Sequence, residues 1–246
     1  MTPSASDRVL YVGAYLYSTQ QPDASAMLVE DGTVAWIGPD DSARALHGDV
    51  PTLDVQGSLI TPGFVDVLPV LTADEPSAEE RGEAARRGVV ALVPGPAGMR
   101  DGVLAVAPCI QTDAALLTLS GSGTPLAFGS GAPEHQEPWS WVRAAAHDAP
   151  TEERISDRAA FLAASRGGQR LAGVPHPGAL NPGAPATFVV WEPWDLTVRG
   201  NDARIQTWST DPRSRTPLLP DLTEGAPRAL RTVIDGAIVH DALAAP

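Results

Sequence analysis

The chain contains no lysine: all 17 of its basic residues are arginine. That excludes a Schiff-base lysine, the lysine of a phosphate-binding loop and a carboxylated lysine bridging two metals. There is one cysteine, Cys109, so an internal disulfide and a cysteine-rich zinc cluster are excluded as well. No apolar run approaches the roughly 18 residues that a membrane-spanning helix needs. Met1–Asp7 is small and polar, without the basic-then-apolar pattern of a secretion signal. The expected location is the cytoplasm, which a lone thiol fits. Positive charge is scarce. A net charge of −13 repels phosphate backbones, so nucleic acid is not an expected partner, and neither is a membrane.

What is present is a succession of short β-rich segments. Residues 8–17 and Ala26–Glu30 are rich in β-branched, aromatic and other apolar side chains and are expected to be strands. Asp31-Gly32 predicts a tight hairpin turn into a returning strand over Thr33–Ile37. Asp40–Leu46 predicts a short helix capped by Asp40 or Asp41, and Thr52–Val55 a further strand. The apolar run Leu59–Val67, broken at Pro62-Gly63, predicts a buried strand. Ser77, with Glu80 three residues on, predicts a capped helix to Arg87, and Val89–Val93 completes a βαβ unit. Pro94–Gly102 is expected as loop, and Val103–Ala107, Ala114–Leu119 and Leu126–Phe128 as strands. The connections after residue 107 are too short for parallel crossovers, so part of this sheet is expected to be antiparallel. Helices are expected over Pro138–Ala146 and from Thr151 or Ser156 to Ser165, interrupted at Gly167-Gly168. Pro175–Pro185 and Asn201–Pro227 are expected loops. Ala186–Trp191 is a strand, and Asp235-Gly236 turns a last hairpin.

Three segments carry a pattern beyond secondary structure. The first, Gly57-Ser58-Leu59-Ile60-Thr61-Pro62-Gly63-Phe64-Val65-Asp66, follows the strands of 8–56. The second is Leu126-Ala127-Phe128-Gly129-Ser130-Gly131-Ala132-Pro133. The third runs from the Ala-rich helix near Ser165 through Gly178-Ala179-Leu180-Asn181-Pro182-Gly183 and Ala186–Val190 to Arg231–Val239. In this order they resemble the amidohydrolase superfamily of metal-dependent hydrolases, closest to the branch acting on non-peptide C–N bonds. The resemblance implies a composite β-sandwich, built from residues 8–58 and 186–243, beside a β/α barrel over 59–185. A complete barrel takes about 250 residues; only about 107 lie between Leu59 and Ser165. An α/β fold with a truncated, incomplete TIM-like barrel is therefore expected.

The resemblance also locates the family's metal ligands, and this chain lacks them. The His-x-His after the first barrel strand is replaced by Leu68 and Val70, and the aspartate of the last strand by Gly131. None of the three offers a lone pair. Of the five histidines, His135 with Glu134 and Glu137 comes nearest to a cluster, a weak candidate. No Gly-x-Ser-x-Gly nucleophile elbow exists; Gly129-Ser130-Gly131 and Gly121-Ser122-Gly123 lack its spacing. Cys109 is expected to be a buried, inert thiol. Trp139, Trp141, Trp191 and Trp194 are expected to pack rather than line a cleft. Two readings follow: a degenerate, non-catalytic relative of C–N hydrolases with a binding or scaffolding role and no cofactor, or an active hydrolase of a small amide or cyclic substrate through an unidentified site. An incomplete barrel leaves strand edges open, so a homodimer or a protein partner is expected, with Val89–Val93 or Val103–Ala107 near the contact.

Overall fold

The computed structural model describes residues 8–110, 115–173, 177–197 and 217–243. Gly13 turns the chain between β1 (Arg8–Val12) and β2 (Tyr15–Leu16), so the single strand expected over 8–17 is two. β3 (Ala26–Glu30) and β4 (Thr33–Gly38) form the expected hairpin, followed by α1 (Asp40–Leu46) and β5 (Thr52–Asp54). Pro39, not an aspartate, occupies the N-cap of α1. The Asp40 carboxylate instead accepts the Gly13 N–H at 3.1 Å and ties the helix to the β1–β2 turn.

The run expected as one buried strand is divided at Gly63 into β6 (Leu59–Pro62) and β7 (Phe64–Asp66), which belong to different sheets. β6 pairs antiparallel with β12 (Phe188–Trp191), so Leu59–Pro62 is hydrogen-bonded to the C-terminal strands rather than to the segment that follows it. With β15 (Ala229–Ile234) and β16 (Ala237–Asp241) they make a sheet of order β16-β15-β12-β6-β2. The other N-terminal strands make a sheet of order β4-β3-β1-β5. Tyr11, Met27 and Ile37 from one sheet and Ile60, Phe188, Val190 and Val233 from the other share one buried cluster. Side chains alternate along a strand, so Val189 faces away from this cluster, toward the helices. The Asp31-Gly32 and Asp235-Gly236 turns touch although they come from opposite ends of the chain. A Cβ on Gly236 would lie 2.5 Å from Gly32 Cα, and Ala186 N–H donates to Gly32 O at 2.8 Å.

The middle of the chain forms the α/β part. α2 (Ala78–Arg86) carries the expected capping box: Glu80 N–H donates to Ser77 Oγ, and the Glu80 carboxylate accepts the Ser77 N–H. It leads into β8 (Val89–Leu92), parallel to β7. Two expectations fail here. Pro94–Gly102 is not all loop: β9 (Gly98–Arg100) forms a hairpin with β10 (Val103–Val106) around Asp101-Gly102, a third Asp-Gly turn. Of the strand expected over Ala114–Leu119, Ala114 lies outside the described residues and the rest does not form a strand. Leu116–Gly121 is a helix, α3, and the connection it occupies is long enough for β10 to run parallel to β11 (Leu126–Phe128). The sheet is mixed, with its antiparallel pair at β9–β10 rather than after residue 107.

α4 (Pro138–Arg143) runs on into a π-helical turn over Ala144–Asp148. α5 (Asp157–Leu162), capped by Ser156, runs through a second π turn at Ala163–Gly167 into α6 (Gly168–Ala172). Gly167-Gly168 therefore does not interrupt the helix. It lets the helix lie directly on the strands, because a Cβ on Gly167 would sit 2.0 Å from Leu126 O and one on Gly168 would sit 2.5 Å from Val65 Cβ. Phe64, Phe128, Phe161, Trp139, Trp141 and Trp191 pack beneath these helices, the tryptophans at most 2% exposed. Of the loop expected over 201–227, residues 201–216 lie outside the described ones, and Leu219–Pro220 pairs as β14 with β13 (Leu196–Thr197). β10 lies between β11 and β9, and Val103, Ala105 and Val89 are buried, so Val103–Ala107 offers no open edge to a partner. Among the described residues, no helix is long and apolar enough to cross a membrane.

Candidate functional site at the strand ends

The fold brings the motif positions together. β7 and β11 abut, with Val67 N–H pointing to Phe128 O at 3.5 Å. Beyond their carboxyl ends, Gly131 N–H and Ser130 Oγ both donate to Leu68 O, at 3.0 and 3.1 Å. Asp66 is the hub. It is 5% exposed, and its Oδ1 accepts the Leu68 N–H at 3.0 Å and the Ser130 N–H at 2.9 Å, joining residues 64 apart in sequence. Burial pushes the Asp66 carboxyl above the ordinary carboxylate range, against the pull of these hydrogen bonds and of the nearby Arg87. From the facing side, the Arg100 guanidinium donates to Val67 O at 2.8 Å and to Pro94 O at 3.2 Å.

The same geometry tests whether the place suits a metal, and it does not. Leu68 is 8% exposed and apolar, and Val70 is 42% exposed and points no donor anywhere. Gly131 has φ +66°, and a Cβ there would lie 2.5 Å from Ala107 Cβ and 2.9 Å from Ile110 Cδ1. A Cβ on the neighbouring Gly129 would meet Asp66 Oδ1 and Leu68 N at 2.5 Å. An aspartate at 131 has no room while Ile110 occupies that space. Leu68 and Gly131 meet at the strand ends through Gly131 N–H donating to Leu68 O, and the three positions supply apolar packing and backbone hydrogen bonds where a metal would need donors.

The cluster of Glu134, His135 and Glu137 does not form a site either. Pro133–His135 is a single tight turn, Glu134 and Glu137 are exposed, and His135 gives its backbone carbonyl to Trp141 Nε1 at 2.6 Å. Among the described residues, no group of three His, Cys, Asp or Glu side chains is placed to hold a metal. His47 packs edge-on against Trp36, His240 lies on β16, and His147 pairs with Asp157 at 2.5 Å. His176 lies outside the described residues.

What sequence reasoning missed is a cavity of about 580 Å³ lined in part by Ile110. The segment after β10 supplies Pro108, Cys109 and Ile110, the start of α3 supplies Leu116, and α4 with its π turn supplies Ser140, Arg143 and Asp148. Cys109 Sγ and Ser140 Oγ are 3.5 Å apart, and burial pushes the thiol up, with Asp148 adding to the effect and Ser140 opposing it. The residues come from four separated segments, so no local pattern announces the cavity.

Two facing sheets, each mostly antiparallel with one parallel edge pair, stand with a mixed sheet and its helices, and this arrangement defines the class. The chain has the fold of the amidohydrolase-superfamily hydrolases. No family model matches it, and no curated protein matches it. Solved structures do. An enamidase described as a member of that superfamily superposes with a TM-score of 0.59 at 12% identity, over 95% of this chain and 96% of that one. An amidohydrolase from an environmental sample of the Sargasso Sea gives 0.61 at 13%, over 95% and 93%. The guanine deaminase of E. coli gives 0.52 at 12%, over 97% and 100%. At such identities the likeness is one of fold.

Proposed function

We propose that the chain is a non-catalytic amidohydrolase-like protein, related to hydrolases of non-peptide C–N bonds and acting by binding or scaffolding. One observation carries this reading: the space that a ligand aspartate at 131 would enter is filled by Ala107 and Ile110, beside Leu68 and Val70 in place of the two histidines. Losing a donor by substitution leaves a hole, whereas here the hole is packed. In this reading residues 8–58 and 186–243, together with β6, form a composite sandwich, and the remainder up to 185 is a barrel reduced to its first two and last two strands with the β9 hairpin between. The protein works in the cytoplasm, as a homodimer or with a protein partner. One edge strand that could serve assembly is β16, where Ile238 is 51% and Val239 45% exposed. The competing reading, an active hydrolase through another site, needs a nucleophile or an activated water. The cavity's one thiol, Cys109, is held protonated by its burial. The test is turnover of a panel of cyclic and acyclic amides with zinc or manganese added. Hydrolysis no faster than in buffer is expected, and metal-dependent turnover would overturn the proposal.

A further inference from the structure

We infer that the cavity beside Ile110 is a binding site for a small organic cation: a primary amine or amidine carried on a compact apolar body. The inference concerns a cavity whose lining includes none of Leu68, Val70 and Gly131. A volume of about 580 Å³ lies within the usual range of small-molecule sites. Its apolar lining of Pro108, Ile110, Leu116 and Pro150 suits a hydrocarbon or ring.

The charged lining selects the sign. Two carboxylates, Asp148 and Glu153, and one guanidinium, Arg143, line it, and Arg143 Nε already points to Asp148 Oδ1 at 3.4 Å. Glu153 is half-buried, and among the described residues its carboxylate accepts no hydrogen bond; only its backbone N–H is engaged, by Pro150 O. Arg154, its neighbour, donates to Ala149 O at 2.7 Å and does not line the cavity. The site thus carries a surplus negative charge on a half-buried group, which attracts a cation and repels an anion. Ser140 and His135 add polar atoms to the lining. An ammonium or amidinium on Glu153, with its apolar body against Ile110 and Leu116, satisfies both kinds of surface.

Cys109, the sole cysteine, lines the cavity, so its alkylation by iodoacetamide, run at a pH high enough to ionise the thiol that burial keeps protonated near neutrality, reports occupancy at this site. Three probes of matched size are compared on the full chain: 2-phenylethylamine, 2-phenylethanol and 3-phenylpropanoate. The amine is expected to slow Cys109 alkylation saturably, with a matching heat in titration calorimetry, and the alcohol and the carboxylate are not. Glu153→Gln is expected to weaken the amine about tenfold, while Arg143→Gln, which removes the competing positive charge, leaves it equal or tighter. Circular dichroism establishes that both variants are folded. Protection by the carboxylate rather than the amine, binding of none of the three by calorimetry, or unchanged amine affinity in Glu153→Gln would each overturn the inference.

Discussion

Replacing Asp66 should separate two roles of one side chain. Its Oδ1 takes two buried backbone donors, Leu68 N–H at 3.0 Å and Ser130 N–H at 2.9 Å. Asp66→Ala leaves both without an acceptor. At about 1–3 kcal/mol for each unsatisfied buried donor, the loss is about 2–6 kcal/mol, a large share of the stability of an ordinary domain. Asp66→Asn keeps an Oδ1 for the same two donors and removes the buried charge, so it should stay within about 1 kcal/mol of the parent near neutrality. The pH dependence supplies the second test. Burial raises the folded-state pKa of Asp66, so the folded protein holds its proton to higher pH than the unfolded chain. The parent then loses stability as pH rises from the unfolded value of about 3.9 through the raised folded value, and the loss is complete above it. Asp66→Asn has no such term, so its stability relative to the parent should climb across that window. Urea unfolding followed by tryptophan fluorescence, repeated from acid to neutral pH, measures both effects. If Asp66→Ala is as stable as Asp66→Asn, the carboxylate does not pin the strand ends.

Gly→Ala should have opposite signs at two helical positions. Gly82→Ala in α2 meets nothing within 4 Å and should stabilise by about 1 kcal/mol. Gly167→Ala drives a Cβ to 2.0 Å from Leu126 O and should destabilise by about 1–3 kcal/mol despite the helix gain, as thermal melts will show. Hydrogen bonds from Ser77 and Thr72 hold the Glu80 carboxyl at about 2, below its ordinary value, so the stability it adds is present above about pH 4.5 and lost as pH falls toward 2. Glu80→Gln should flatten the acid limb of the stability curve between those values. A 51–246 fragment should be insoluble or molten, because it uncovers Ile60, Phe188, Val190 and Val233. A sharp thermal transition from that fragment would show that the N-terminal sheet is dispensable.

Local chemistry was legible in the sequence. The Ser77–Glu80 capping box and the Asp-Gly turns at 31–32 and 235–236 are set by neighbouring residues, and they form as expected. Tertiary decisions were not legible. Leu116–Leu119 is a short apolar run, equally good as strand or helix, and it is the place of β11 beside β10 that makes it a crossover helix. Gly167-Gly168 looks like a helix break until Leu126 and Val65 are seen to lie against it. Which face of Ala186–Trp191 meets the N-terminal sheet was not legible either; the alternation along β12 turns Phe188 and Val190 to it and Val189 away. At the site, the sequence named Leu68, Val70 and Gly131 as lost ligands. It did not show that Ile110, from another segment, had closed the space behind them.

Elemental analysis of the purified, dialysed protein after incubation with zinc, iron and manganese tests the central claim most directly. With Leu68, Val70 and Gly131 at the donor positions and Ile110 packed into the space beside them, no metal should remain in stoichiometric amount. About one tightly held metal per chain, retained through dialysis and lost on chelation, would mean that a donor set exists in this fold and would contradict the account.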